Sequence, residues 1–389
     1  MKSGKKIIII GSAHPLRGGG ISTFNERLAQ AFMERGDETV IFSFRLQYPS
    51  IFFPGKTQWT TEPPPEGLDI RARINSVNPF NWIRTGREIS RLRPDLVIIR
   101  FWLPFLGPCL GVLARIIKRN RITRIITIAD NIIPHERKLF DQFLTAFYVK
   151  SSDGFVFMSR SVMQDLDRFD RNKPRRYCPH PLYDVYGTCF NRQTACEMLG
   201  IDQKYHYLLF FGFIREYKGL DILLHALGNK RLKSLPVRLL LAGEYYTDPE
   251  PYEQIIEQHQ IGDRILKFTQ FIPNSEVGTY FCAADLVVQP YKSATQSGVT
   301  QVAYYFDKPM IITNVGGLAE MVPDRKAGYV VDPDPDKVAE AIEDFFVNKR
   351  EKEFVPFVRE AKKKYSWENM LLSITELEKE IENRKDPGS

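Results

Sequence analysis

The sequence predicts an α/β protein made of two Rossmann-like doubly wound units. Two observations carry this reading. Short, nearly continuous apolar runs recur along the chain with helix-length patterns between them, as in parallel sheets covered on both faces. That grammar runs through twice in 389 residues, a length that suits two domains better than one. In the first half, 5–11, 38–44, 95–100, 125–129 and 154–159 read as strands, and 20–35 reads as a helix. The second half repeats the alternation with "LLFFGF", "VRLLLAG", "ILKFTQF", "DLVVQP", "PMIIT" and "AGYVV". Between the halves, "PRRYCPHPLYDVYG" (174–187) has three prolines and little periodicity, so the boundary is expected within 174–195. The expected division is 1–187, then 188–364, then a terminal helix over 365–389. "EPPPEG" (62–67) marks a surface loop in the first unit.

Composition narrows the class. With 43% hydrophobic, 26% charged and 12% aromatic residues the chain is globular rather than disordered. Residues 1–187 carry 29 Lys and Arg against 17 Asp and Glu, whereas the remainder carries 25 against 30. A basic first half suits an anionic partner or surface, and a solvated face without a partner accounts for it equally well. Five scattered cysteines with no C-x-x-C pair indicate neither a disulfide framework nor a zinc ribbon, which fits a reducing cytoplasm. The first strand starts almost at the N-terminus, so no signal peptide is expected. The most apolar run, "FWLPFLGPCLGVLARII" (101–117), is too short and too rich in proline to span a bilayer. The segment that overlaps its end, "ARIIKRNRITR" (114–124), holds Arg115, Lys118, Arg119, Arg121 and Arg124 with no acid. A basic amphipathic helix of this kind suits peripheral contact with an anionic membrane on its inner face, and a helix packed on a sheet with a charged outer face explains it as well. Aromatics interleaved with basic residues on a defined module are missing, so nucleic acid is not an expected partner.

Open parallel sheets bind ligands at the carboxyl ends of their strands. "GFIREYKG" (212–219) stands at such an end, with Gly212 to turn the backbone and Arg215 and Lys218 before the next helix. A planar fork beside a mobile point charge suits a diphosphate. After "DLVVQP" comes a polar loop with Thr295, Gln296 and Ser297, and a helix expected to start near Ser297, Gly298 and Val299. Free N–H groups at a helix start form an anion site, although Ser297 also reads as a plain N-cap. "NVGGLAE" (314–320) then places Gly316, Gly317 and Glu320 at the next strand end, where a carboxylate can hold sugar or ribose hydroxyls.

These segments, in this order, resemble the retaining nucleotide-sugar glycosyltransferases of the GT-B fold, most closely family 4. The resemblance covers nearly the whole chain and rests on "GGG" (18–20), "GFIREYKG", "AADLVVQP" (283–290), "DKPMIITNVGGLAE" (307–320) and "YSWENM" (365–370). It implies two domains facing across a cleft, the first for the acceptor and the second for the donor, with the terminal helix crossing back to the first. It implies transfer of a sugar from a nucleoside diphosphate to an acceptor hydroxyl, such as a glycan or lipid-linked acceptor in surface polysaccharide synthesis, with no cofactor and no metal. Arg215 and Lys218 would neutralise the departing diphosphate, helped by backbone amides near Ser297, Gly298 and Val299. Gly18, Gly19 and Gly20 would let their loop approach donor phosphate or acceptor. The base would lie near Gly243, Glu244 and the loop holding Phe271 and Ile272.

Two departures matter. The family's glutamate pair is missing, since "ATQSGVTQVAYYF" (294–306) contains no acid and Gln301 is the nearest polar stand-in. Contacts to ribose and sugar are therefore expected from Thr295, Gln296 and Gln301. Where many relatives have a histidine, this chain has "ADNIIPHE" (129–136), so Asp130 and His135 are expected on the acceptor side. Other readings are a GT-B epimerase, or an inactive homologue that binds nucleotide sugar or glycan. The acid-rich "DPDPD" (332–336) is expected to cap the following helix through Asp334 or Asp336 rather than hold a metal.

Overall fold

The computed structural model describes residues 4–17, 20–49, 58–61, 63–133, 140–187, 189–294 and 297–385. The chain divides into two compact units, one made of Met1–Pro181 with Ser366–Ser389 and the other of Leu182–Tyr365. The division falls at Pro181 and Leu182, a few residues before the expected position.

The first unit runs β1 (Lys6–Ile10), α1 (Gly20–Glu34), β2 (Glu38–Leu46), β3 (Asp69–Asn75), α2 (Pro79–Leu92), β4 (Leu96–Phe101), α3 (Gly107–Ile117), β5 (Arg124–Ala129), α4 (Asp141–Val149), β6 (Gly154–Phe157), α5 (Arg160–Asp165) and β7 (Arg175–Tyr177). The second contains α6 (Arg192–Leu199), β8 (His206–Phe211), α7 (Leu220–Leu227), β9 (Val237–Ala242), α8 (Glu250–His259), β10 (Ile265–Phe268), α9 (Asn274–Ala283), β11 (Leu286–Gln289), α10 (Gly298–Tyr305), β12 (Met310–Thr313), β13 (Gly328–Val331), α11 (Pro335–Val347) and α12 (Glu351–Lys362). The terminal helix α13 (Trp367–Lys385) belongs to the first unit.

Every strand pairing is parallel, in the orders β3-β2-β1-β4-β5-β6-β7 and β10-β9-β8-β11-β12-β13. The apolar runs explain why. Ile7–Ile10 of β1 are fully buried, as are Leu208 and Leu209 of β8, because helices cover both faces. Each sheet reverses its winding once, between β1 and β4 in the first unit and between β8 and β11 in the second. At such a switch point the flanking connections leave on opposite faces and open a crevice at the strand ends.

Local signals fix the helices. Asn78 caps α2 by accepting from the Asn81 N–H, with Pro79 at its first position, where a missing N–H costs nothing. Asp334 caps α11 by accepting from the Asp336 and Lys337 N–H groups, so this part of the acid run serves the helix start. The terminal helix packs on the far edge of the first sheet, where a Cβ on Gly154 would lie 2.9 Å from Ile381 and 3.2 Å from Leu377. Lys5 pairs with the buried Glu378 at 2.6 Å and ties this helix to the start of β1. In the second unit the Leu182 N–H donates to the Tyr365 carbonyl at 2.9 Å, so the chain enters and leaves that unit at one point.

A buried charge pair sits in the first unit. Arg100 is the next-to-last residue of β4 and Asp130 directly follows β5, and the parallel register, in which Phe101 pairs with Ala129, brings them close. Arg100 Nε and Nη2 each donate to one Asp130 carboxylate oxygen at 2.6 Å, with the two residues 2% and 7% exposed. The guanidinium lies flat on Phe24, 3.8 Å from the ring centroid, and Phe24 in turn meets the edge of His180. Removing one partner of such a pair leaves a buried charge uncompensated, which costs about 3–5 kcal/mol. Asp130→Ala is therefore expected to destabilise by about that much in urea unfolding, and the double replacement Arg100→Met with Asp130→Leu by much less. Equal losses in the two variants would show that the charge pair is not what holds these strand ends.

Candidate functional site

The switch point of the second sheet gathers most of the expected donor residues. Beyond β8 the chain turns at Gly212, whose φ of +94° suits glycine. Its neighbour Gly243 also has positive φ, and a Cβ there would lie 2.2 Å from the Gly212 carbonyl oxygen. The two strand ends therefore stay in contact past the sheet, and the Ile214 N–H donates to the Glu244 carbonyl at 2.8 Å. Arg215 then opens a short 3-10 turn, Glu216–Lys218, which closes at Gly219 with φ +66°. A Cβ on Gly219 would lie 2.0 Å from the Pro290 carbonyl oxygen beyond β11. The Lys292 N–H donates to the Tyr217 carbonyl at 2.7 Å. The loops after β8 and β11 are thus fastened together across the reversal.

This arrangement seats the two cations. Lys218 Nζ lies 3.0 Å from where a Gly212 Cβ would stand, with Val299 on the same spot's other side at 3.9 Å, and 5.8 Å from the Tyr291 ring centroid. Lys218 is half-buried, and burial followed by repulsion from Arg215 lowers its pKa to about 7. The Arg215 guanidinium lies over Tyr246 at 5.1 Å. Among the described residues neither cation makes an ion pair. Tyr246 joins Phe213 (4.3 Å) and Phe213 joins Phe271 (6.4 Å), an aromatic group at the ends of β8, β9 and β10 beside the buried Ile272.

At the start of α10, Ser297 has extended backbone but does not cap the helix. Its hydroxyl turns inward and donates to Gln289 Oε1 at 2.6 Å, where Thr300 also donates at 3.1 Å. Among the described residues, no side chain caps the start of α10. Tyr183 fills the space beside Gly298, its ring 3.0 Å from where a Cβ would stand. Gln301 is 0% exposed, and neither atom of its amide has a partner, nor does Gln289 Nε2. Gly316 has φ +49°, the Gly317 N–H donates to the Ala294 carbonyl at 3.2 Å, and Glu320 is exposed in the next turn.

Of the remaining expected residues, Gly20 begins α1 in the first unit. Asp130 accepts from Arg100 with both carboxylate oxygens. Gly18, Gly19, His135, Thr295 and Gln296 lie outside the described residues. His180 is buried, and burial together with Arg100 pushes its pKa down to about 3, so the ring is neutral and Nδ1 donates to the Pro181 carbonyl at 2.7 Å. Sequence reasoning missed Gly219, Tyr183, Phe213, Tyr246, Gln289 and Tyr291. Of these only Gly219 carried a local signal, as the glycine ending the 3-10 turn.

Residues 205–348 match the family model described as Glycosyl transferases group 1, and residues 18–179 match that of Glycosyltransferase Family 4. A D-inositol 3-phosphate glycosyltransferase of Corynebacterium urealyticum is 25% identical over 67% of this chain and 63% of its own length. The chain thus matches less than two thirds of that relative, and 44% of a similarly named protein of Paenarthrobacter aurescens. In fold it is similar to a glycosyltransferase from Rickettsia africae (TM-score 0.73, 18% identity, 97% of this chain and 98% of that one). It is also similar to the Anabaena protein HepE in complex with UDP (TM-score 0.69, 14% identity, 95% and 98%). The fold of this chain is GT-B, with two Rossmann-like parallel sheets of seven and six strands.

The lowered pKa of Lys218 has a measurable sign. An unfolded lysine keeps its proton up to its ordinary value near 10.5, and the folded one only up to about 7. Between these values the unfolded chain binds more protons, so stability rises with pH across that window and is level outside it. The thermal midpoint of the ligand-free protein, minus that of Lys218→Met, is expected to grow between pH 7 and 10. A flat difference would mean that burial does not hold the lysine's pKa down.

Proposed function

Since the chain belongs to the family 4, group 1 glycosyltransferases, we propose that it moves a sugar from a nucleoside-diphosphate sugar to an acceptor hydroxyl, with retention at the anomeric carbon. One observation carries the reading: among the described residues, two cations without ion pairs stand at the switch point, on loops fastened together, near a helix start without a side-chain cap. A diphosphate satisfies all three. As the sugar–phosphate bond breaks, negative charge grows on the leaving phosphate, and fixed cations favour that state over the bound ground state. An arriving anion favours the charged form of Lys218, offsetting the burial that lowers its pKa to about 7, so the ammonium stays charged while the nucleotide leaves. The phosphate oxygen that departs can accept the acceptor's proton, so no protein base is required. The Anabaena neighbour's complex with UDP makes uridine nucleotides the first to try. The aromatic group of Phe213, Tyr246 and Phe271 is the surface on which the base would rest. With no carboxylate in 294–306, Gln301 is the nearest polar stand-in, and the donor's hydroxyls would be read by neutral groups such as its amide.

The acceptor side is supported by the surface of the first unit. Phe80 (85% exposed) and Ile83 share one face of α2 with Arg84, Arg87 and Arg91, all within an arc of roughly 100°. None of the three arginines has an ion pair among the described residues. Apolar side chains among unpaired arginines complement an anionic lipid surface. The acceptor would then be a glycan or a lipid-linked sugar presented at the cytoplasmic leaflet, for a surface polysaccharide.

Thermal unfolding with UDP, GDP, ADP, CDP and TDP and their sugars tests the donor site. A hundredfold excess over the dissociation constant stabilises by about 2.7 kcal/mol. Hydrogen bonds to charged groups contribute about 1.5–3 kcal/mol, so Arg215→Ala and Lys218→Ala should each lower kcat roughly ten- to a hundredfold. No stabilisation by any nucleotide would sink the reading, and binding without turnover would favour an inactive homologue. For the membrane, cosedimentation with vesicles of phosphatidylcholine and phosphatidylglycerol is the measurement. At about 1 kcal/mol per arginine, Arg84→Glu, Arg87→Glu and Arg91→Glu together should weaken binding roughly a hundredfold or more. Unchanged binding would remove α2 from the interface.

A further inference from the structure

The segment that begins at Tyr183 runs as a strap over α9 and α10 in the second unit. Tyr183 abuts Gly298, the Tyr186 carbonyl crosses Gly278 at 2.9 Å from where a Cβ would stand, and Tyr305 donates to the Gly187 carbonyl at 2.8 Å. Where the strap ends, the Cys189 sulfur lies 3.4 Å from the Cys282 sulfur of α9, although 93 positions separate them in sequence. Cys189 is exposed and Cys282 is buried.

We propose that Cys189 and Cys282 are an oxidation site that peroxides convert to a disulfide, bonding the strap to α9. This goes beyond the transferase reading and does not depend on it. Three anchored contacts hold the strap in place, so the two sulfurs need close by little more than an ångström to bond, a sulfur–sulfur bond being about 2 Å. The roles of the two thiols follow from their surroundings. Cys189 meets solvent. Burial raises the Cys282 pKa to about 12, so it stays a thiol until its partner is activated.

The chemistry balances with hydrogen peroxide as oxidant. The Cys189 thiolate attacks one peroxide oxygen, the O–O bond breaks, and the leaving hydroxide is protonated to water, which leaves a sulfenic acid on Cys189. The Cys282 sulfur then attacks the Cys189 sulfur. The S–O bond breaks, and the departing hydroxide takes the Cys282 proton as a second water. Two thiols and one peroxide thus give one disulfide and two waters. Cys109, Cys178 and Cys196 are buried, and no contact of this kind joins them among the described residues. Once formed, the bond fixes both ends of a segment that already packs on the first residue of α10.

The test uses the full chain, folded, with hydrogen peroxide as the probe. After treatment, alkylation of the unfolded protein should find three free thiols of the original five. Digestion should yield one linked peptide pair, containing residues 189 and 282, that dithiothreitol separates. Cys282→Ser should stop at sulfenic acid on Cys189, trapped by dimedone, and Cys189→Ser should keep its four thiols. Five thiols after treatment, a linkage between any other pair, or a 189–282 link that forms only in urea would overturn the proposal. The peptide map of the unaltered chain is decisive even where a variant fails to fold.

Discussion

A carbonyl oxygen stands where a side chain would start. Gly219 approaches Pro290 so closely that no Cβ fits between them, and this contact ties the two loops that flank the reversal of the second sheet. Much of the candidate site hangs from that approach. The 3-10 turn closes there, so Lys218 is held over Gly212, and the Lys292–Tyr217 hydrogen bond keeps the polar loop alongside. With a larger residue the loops would part, and the ammonium would lose its half-buried seat.

The electrostatic character of the site follows from what the fold leaves out. The second half of the chain has an excess of acids, yet none pairs with Arg215 or Lys218 among the described residues. Ser297 spends its hydroxyl on Gln289 rather than on the start of α10. Gln301 and Gln289 keep unpartnered amide atoms in the interior, each costing about 1–3 kcal/mol. Donors and cations without partners at one sheet edge are tolerated where a ligand supplies the missing acceptors.

The architecture was legible because the central strands are almost uniformly apolar, and a doubly covered parallel sheet demands that. The edges were not. β3 reads "DIRARIN" and β7 reads "RRY", and half-exposed edge strands with charges carry no continuous run. The cations at 215 and 218 were legible because a glycine turn and a strand end flank them. The partner of Asp130 was not, since Arg100 closes the run "DLVIIR" in the sequence like any solvent-facing charge, and only the register of β4 with β5 makes them neighbours. Gln301 is legible in the sequence as the nearest polar stand-in for a missing acid, but its lack of partners among the described residues depends on burial by elements far away in the chain. Tyr183 was hidden for the same reason, because its role beside Gly298 comes from the path of the strap.

The first unit is assembled from both ends of the polypeptide, with the whole of the second unit inserted between Pro181 and Ser366. During synthesis the seven-stranded sheet emerges first, yet the groove at Gly154 stays open until Ile381 and Leu377 leave the ribosome. The inserted unit, whose entry and exit meet at Leu182 and Tyr365, can be complete before then. A nascent chain cut short before Leu377 would thus carry one finished half and one greasy, uncovered flank, a substrate for chaperones rather than a shortened enzyme.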